Sequence, residues 1–205
     1  MKFKQFFCSL LALAIATASF AQTPATEKFS ALSNAVILVI RHAEKPESGS
    51  GLSAEGEARA QAYIQYFKNF KLNDQPAIPD HLFAAADSKA SRRSRLTLEP
   101  TGKALGLTVD SRFKNKNFQE LASEIQAKPH GKVILIAWHH GEIPELLQAL
   151  GATPKDVLPK SKWPDAVFGW LIQLRYDADG HLIETKLINE NLQPGDASQP
   201  PSKAP

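Results

Sequence analysis

Cysteine and methionine are almost absent from this chain, with one of each in 205 residues. Cys8 lies in the leading segment. Everything beyond it therefore lacks a disulfide, a thiolate nucleophile and a cysteine metal site. No GxGxxG or GxxxxGK[ST] follows either of the two clear buried strands, so the dinucleotide and nucleoside-triphosphatase readings lack their phosphate loops. There is no internal repeat. The stretch Phe6 to Ala16, largely apolar, is short for a membrane-spanning helix.

That stretch has a different reading. Met1-Lys2-Phe3-Lys4 is a basic start, and Ser19-Phe20-Ala21 offers small residues at cleavage positions, so residues 1–21 are expected to be a secretory signal peptide. Cys8 precedes the apolar centre, which argues against a lipoprotein acceptor, and a bacterial periplasm is the expected destination. Of the 24 basic residues Lys2 and Lys4 leave with the signal, so 22 remain against 21 acidic ones. A balance near +1 predicts neither a nucleic-acid nor an anionic-membrane partner, and no stable membrane insertion after cleavage. The oligomeric state has no signature.

The remaining length suits one domain with a substantial core. Residues 22–33 read as a polar linker, 34–192 as the folded domain, and 193–205, with four prolines, as a disordered tail. Ala35 to Ile40 is six apolar residues, four of them β-branched, a strand buried on both faces. Ser53 caps a helix with Glu55 and Glu57 in its first turn and a stripe of Ala60, Tyr63, Ile64, Phe67 and Phe70. Asn73 to Asp80 is a loop leading to a strand over His81 to Ala86. The helix after Arg92-Arg93 is expected to kink or restart at Pro100 and to end at Gly106. Leu107 to Asp110 suits a short strand. Asn117 and Glu120 suit a capping pair for the next helix, which Pro129 and Gly131 close. Lys132 to Trp138 is the second clear buried strand. A helix with Ile143, Leu146, Leu147 and Leu150 inward follows it, ended by Gly151. Val167 to Tyr176 and His181 to Ile188 read as a hairpin around Asp177-Ala178-Asp179-Gly180. This alternation predicts an α/β fold, a mostly parallel central sheet flanked by helices on both sides.

In such a sheet the carboxyl ends of parallel strands share one edge, and ligands bind in the crevice beyond it. The first strand delivers Arg41 and His42, the second Arg92 and Arg93, and the third His139 and His140 at a helix start. Two guanidinium forks and a helix start facing one another describe a phosphate or sulfate pocket. Histidine is the credible nucleophile: a neutral imidazole can take a phosphoryl group and divide one hard displacement into two easier ones. Flanking cations would stabilise the charge that develops.

These residues also resemble a known family. VILVIRHAEKP, then Arg93-Ser94-Arg95-Leu96-Thr97, then ILIAWHHG are similar to the histidine phosphatase superfamily, the phosphoglycerate-mutase-like fold, in an Arg-His-Ala-Glu-Lys-Pro variant. The resemblance covers most of Ala35 to Leu192. It implies a three-layer α/β sandwich and a metal-independent phosphoric monoester hydrolase without cofactor, acting on a small phosphorylated substrate. It also implies His42 as the phosphorylated nucleophile, with Arg41, Arg93 and His140 holding the phosphoryl group. Ala43 stands where the family usually has glycine, and Arg92 and His139 adjoin the assigned Arg93 and His140. The leaving oxygen needs a proton donor. No glutamate lies in Ser111 to Asn117, so Asp110, Glu44 and Glu142 are the carboxyl candidates, without an assignment.

Other residues have plainer roles. Trp138, Trp163, Phe168 and Trp170 are expected in the core or pocket wall, and His81, His130 and His181 as isolated surface or loop residues. Two rival readings accompany the phosphatase. One is a non-catalytic phospholigand-binding module using the same pocket. The other is a divalent-metal site on His139, His140 and Glu142, ranked last because adjacent histidines on a strand end point apart.

Overall fold

The computed structural model describes residues 30–196. The expected signal peptide, most of the linker and the tail beyond Asp196 lie outside the described residues. In chain order the elements are β1 (Val36–Arg41), α1 (Ala54–Lys68), β2 (Lys71–Leu72), β3 (Gln75–Pro76), β4 (His81–Ala84), α2 (Arg93–Leu105), β5 (Val109–Asp110) and α3 (Phe118–Ala127). Then come β6 (Val133–Trp138), α4 (Ile143–Ala149), α5 (Pro154–Val157), a 3-10 turn at Pro159–Ser161, β7 (Trp170–Tyr176) and β8 (Leu182–Asn189).

Six strands form one sheet in the order β5-β4-β6-β1-β7-β8, with β5, β4, β6 and β1 mutually parallel. β7 runs antiparallel to β1, and β8 antiparallel to β7. Every residue of β1 and β6 is buried, as the two apolar runs demand. The pleat of β1 divides the core. Ile37 and Val39 face a layer containing Leu121, Ile125, Leu146 and Trp163, while Val36, Leu38 and Ile40 face Tyr63, Phe67 and Leu98. Helices thus cover both faces of a mostly parallel sheet.

Ser53 caps α1, its hydroxyl accepting the Gly56 amide hydrogen at 3.2 Å. Pro100 lies inside an unbroken α2, and Gly106 ends that helix in the left-handed region at φ 71°. Pro100 does not restart the helix because its ring is tolerated within a run held by packing, with Leu98 and Thr101 fully buried on either side. Asn117 donates to the Glu120 side chain at 2.9 Å and makes no backbone cap. The loop before β4 contains the small β2–β3 ladder, too short for periodicity to reveal.

Both ends of the domain extend past the sequence expectation. Leu32, assigned to the linker, is 4% exposed and belongs to the core, and Asn34 donates to the Asp177 carbonyl. At the other end Asp196, assigned to the tail, is 2% exposed and joins Arg59 in an ion pair at 2.9 Å. A buried ionic partner overrides a proline-rich composition here. His81 and His130 are not isolated either. Their rings lie 4.7 Å apart, and both pack on Phe83 in β4, His130 edge-on and His81 tilted. No described helix is long and apolar enough to cross a membrane.

Candidate active site

The carboxyl ends of β4, β6 and β1 are neighbours along one edge, which brings Arg93, His139 and the Arg41-His42 pair to a single rim. His42 continues the ladder one residue past β1, its amide donating to the Trp138 carbonyl at 2.9 Å. Its ring is held from below. Nδ1 lies 2.7 Å from the Ala43 carbonyl oxygen, so Nδ1 carries the hydrogen and Nε2 keeps its lone pair. Nε2 has no hydrogen-bond partner among the described residues. The Ala43 peptide is fixed on its other side as well, its N–H donating to Thr97 Oγ1 at 2.9 Å while that hydroxyl donates to the Arg93 carbonyl at 2.8 Å. One threonine therefore joins the His42–Ala43 loop to the first turn of α2.

Burial keeps this imidazole neutral. The His42 ring, 3% exposed, is pushed down to about 3 by loss of solvation, with His139, Arg41 and Arg93 adding to the effect against the Ala43 hydrogen bond. His139 is lowered to about 4, again by desolvation first and by Arg93 next. A neutral imidazole amid cations is able to accept a phosphoryl group on nitrogen.

Arg41 is 2% exposed. Its Nη1 donates to the carbonyl oxygens of Asp165 at 2.6 Å and Val167 at 2.9 Å, and its guanidinium stacks 3.8 Å from the Phe168 ring centroid. Burial lowers this guanidinium to about 10, still fully charged at neutral pH. Arg93 resembles it, with Nη1 3.4 Å from the carbonyl oxygens of Gly49 and Ala90. In both arginines Nε is buried and makes no hydrogen bond among the described residues. An oxyanion between them would satisfy both, and leaving such donors unmet costs on the order of 1–3 kcal/mol each.

The structure separates the two ambiguous pairs. Arg92 is exposed and lines the groove between α1 and α2 with Gly51, Leu52 and Leu96, whereas the Arg93 charge is felt at Arg41, His42 and His139. Of the two histidines, His139 packs edge-on against His42 with ring centroids 4.9 Å apart. His140, the residue assigned by resemblance, points its Nε2 at Asp165 Oδ1, 3.0 Å away. Consecutive residues leaving a strand diverge, so both cannot face the same atom. The helix start contributes less than expected, because the amides of Glu142 and Ile143 donate back to the His139 carbonyl at 3.0 and 3.1 Å.

The three carboxyl candidates for proton donor are all engaged elsewhere. Glu44 binds Arg59 at 2.7 Å, and Asp110 pairs with Arg112 at 3.1 Å. Glu142, 8% exposed, is held by Lys116 and by Asn115 Nδ2 at 2.6 Å; burial alone would raise its carboxyl, but those two donors outweigh it and the net shift is downward. The metal reading fares similarly. Among the described residues three ligand atoms come within 4.8 Å of one another only at Asp177, Asp179 and His181, on the exposed β7–β8 turn.

Sequence reasoning missed Arg59. It is 2% exposed and shared by Glu44, Asp196 and, at 3.6 Å, Glu190. Its position in the same stripe as Ala60 and Tyr63 was the available signal. Burial alone would lower its guanidinium, but the hydrogen bonds of Asp196 and Glu44 raise it above the ordinary value. Three carboxylates around one guanidinium cannot all be ionised comfortably. Glu190, fully enclosed and bonded to the Tyr63 hydroxyl at 2.8 Å, is raised to about 8, by desolvation first and by Asp196 and Glu44 in addition.

No family model and no curated protein matches the sequence. Solved structures do match. Phosphoglycerate mutase from Plasmodium falciparum superposes with a TM-score of 0.50 at 17% identity, over 83% of this chain and 96% of its own. The protein assigned as phosphohistidine phosphatase SixA from Agrobacterium tumefaciens gives 0.47 at 18% identity, over 73% and 96%. The open reading frame Rv3214 of Mycobacterium tuberculosis gives 0.46 at 14%, over 74% and 96%. The sheet order, the helical layers and the superposition with the mutase together establish a phosphoglycerate-mutase-like fold.

Proposed function

We propose that the chain is an exported phosphatase that hydrolyses a small phosphomonoester through a phosphohistidine on His42. The observation that carries this is that the charges of two arginines, Arg41 and Arg93, act on the His42 ring while their buried Nε atoms make no hydrogen bond among the described residues. His139 stands beside them with its ring against His42. The lone pair of Nε2 attacks phosphorus, a P–N bond forms, and the bond to the leaving oxygen breaks. Arg41, Arg93 and His139 bear the charge on the non-bridging oxygens, the largest catalytic contribution in such transfers. Water then attacks phosphorus and the P–N bonding pair returns to Nε2. The names of the superposed proteins, a mutase and a phosphohistidine phosphatase, agree with chemistry on phosphoryl groups.

The export signal removes the chain from glycolytic intermediates and favours hydrolysis over mutase chemistry. Purified mature protein is expected to turn over a generic aryl phosphate, unaffected by chelator, and His42→Ala is expected to abolish it. A phosphohistidine is labile in acid and stable in alkali, so absence of label on the protein after an alkaline quench of a reaction with radiolabelled substrate overturns the covalent route.

One observation favours a second reading, a phospholigand-binding module. Each carboxyl candidate for the proton donor is already ion-paired. That reading predicts vanadate or phosphate binding that needs Arg41 and Arg93, without hydrolysis of any ester in a broad panel.

A further inference from the structure

With Glu44, Asp110 and Glu142 committed to other partners, the leaving oxygen still needs a proton. One ionisable pair at the rim is placed to supply it. His140 directly follows His139, its side chain is 31% exposed, and its Nε2 meets Asp165 Oδ1 at 3.0 Å. The same Asp165 gives its backbone carbonyl to Arg41 at 2.6 Å, so the segment that grips the phosphate-binding arginine also carries the carboxylate. His140 Nδ1 is buried and has no hydrogen-bond partner among the described residues. A carboxylate on one imidazole nitrogen fixes the tautomer and raises the basicity of the other.

We propose that His140, oriented by Asp165, is the general acid–base of the site, rather than a phosphate ligand or a member of a metal site. The proposal rests on the phosphatase reading. In the first step the P–O bond to the leaving group breaks as His42 Nε2 bonds to phosphorus, and the imidazolium of His140 gives its proton to the departing oxygen. In the second step neutral His140 takes a proton from the attacking water as the P–N bond breaks. The imidazolium is restored and inorganic phosphate leaves.

The charges facing this ring come from three elements. Arg41 at the end of β1 disfavours the imidazolium. Asp165 from the loop before β7 and Glu142 at the start of α4 favour it, and burial acts against it. Burial is the largest influence and the net shift is downward, so the two carboxylates recover only part of the acid form that burial and Arg41 take away. Activity on esters with poor leaving groups should fall as pH rises, with the fall beginning on the acid side of the ordinary histidine range.

The test compares a dinitrophenyl phosphate, whose leaving group departs without a proton, with an alkyl phosphate. His140→Gln is expected to lose about 10²–10⁴-fold in kcat/KM on the alkyl ester, the usual span of general acid catalysis, and at least tenfold less than that on the activated ester. Asp165→Asn, at a carboxylate 93% exposed, leaves the fold intact and should move the alkaline limb for the alkyl ester to lower pH. Equal losses on both esters, or no shift of the limb in Asp165→Asn, overturn the proposal while leaving His42 chemistry standing. If the wild type cleaves neither ester, or His42→Ala still cleaves the activated one, the phosphatase reading itself falls and this role with it.

Discussion

His42 Nδ1 and the Ala43 carbonyl oxygen, 2.7 Å apart, form a hydrogen bond between a side chain and the very next peptide. The ring can hold its orientation only as well as that peptide is held. Thr97 holds it, accepting the Ala43 N–H at 2.9 Å. Replacing Thr97 by Val strands a buried donor, at roughly 1–3 kcal/mol, and lets the ring turn. The expected outcome is a fall in kcat larger than the change in KM, recovered in Thr97→Ser. Steady-state kinetics on an aryl phosphate check it.

Protonation of the His42 ring is a second prediction. His42 and His139 are lowered to about 3 and about 4, so the unfolded chain binds protons that the folded one refuses. Their contribution to stability is complete above the unfolded value near 6.5 and declines as pH falls toward those lower values. Imidazole nitrogen shifts followed by NMR should show both rings neutral throughout pH 5 to 8, with titration only on further acidification. Observation of either imidazolium at pH 6 contradicts the packing described.

The opposite sign applies to Glu190. Its carboxyl is raised to about 8, so the folded state keeps a proton that the unfolded state loses near 4.5, and stability from this group declines as pH rises through 8. Glu190→Gln keeps an oxygen for the Tyr63 hydroxyl and removes the titration. At pH 9 the variant should melt above the wild type by about 2–4 °C or more, the shift made by roughly 1 kcal/mol in a domain of 150–250 residues. At pH 5 the advantage should vanish or reverse.

Arg59 offers the larger effect. Without its guanidinium, Glu44, Glu190 and Asp196 face one another in the interior. Removing one partner of a buried pair costs about 3–5 kcal/mol, so Arg59→Met should lower the urea midpoint accordingly. Arg59→Lys, a point charge without the fork, should recover only part of it.

Gly56 sits inside α1, where alanine is worth about 1 kcal/mol more than glycine by propensity. Here the sign reverses. A Cβ at Gly56 would lie 2.4 Å from the backbone oxygen of Glu44, so the helix and the loop after His42 touch backbone to backbone. Gly56→Ala is expected to destabilise the protein in denaturant titration and to depress kcat, because the loop that must give way begins at His42.

The parts of the site that were legible before any coordinates are those fixed by strand ends. Two runs of apolar residues define β1 and β6, and parallel pairing then forces Arg41, His42 and the histidine pair onto one edge. What the sequence left undecided depends on side-chain direction. Whether His139 or His140 meets His42 turns on the angle at which the chain leaves β6, and Arg93 rather than Arg92 on the first turn of α2. Arg59 and Asp196 lie 137 residues apart and meet only through tertiary packing, so no local pattern connects them. The carbonyls that hold Arg41 were hidden for the same reason, since backbone acceptors leave no mark in residue identity.

β7 is antiparallel to β1, the strand that leads into His42. Its entrance, not its exit, meets the edge that holds Arg41 and His42, and residues 164–168 arrive there as a loop. A loop of this kind can lengthen or change composition while the parallel strands stay in register. If the proposed chemistry holds, divergence in what is accepted is anticipated in the few residues ahead of Trp170, with Arg41, His42 and Arg93 left alone.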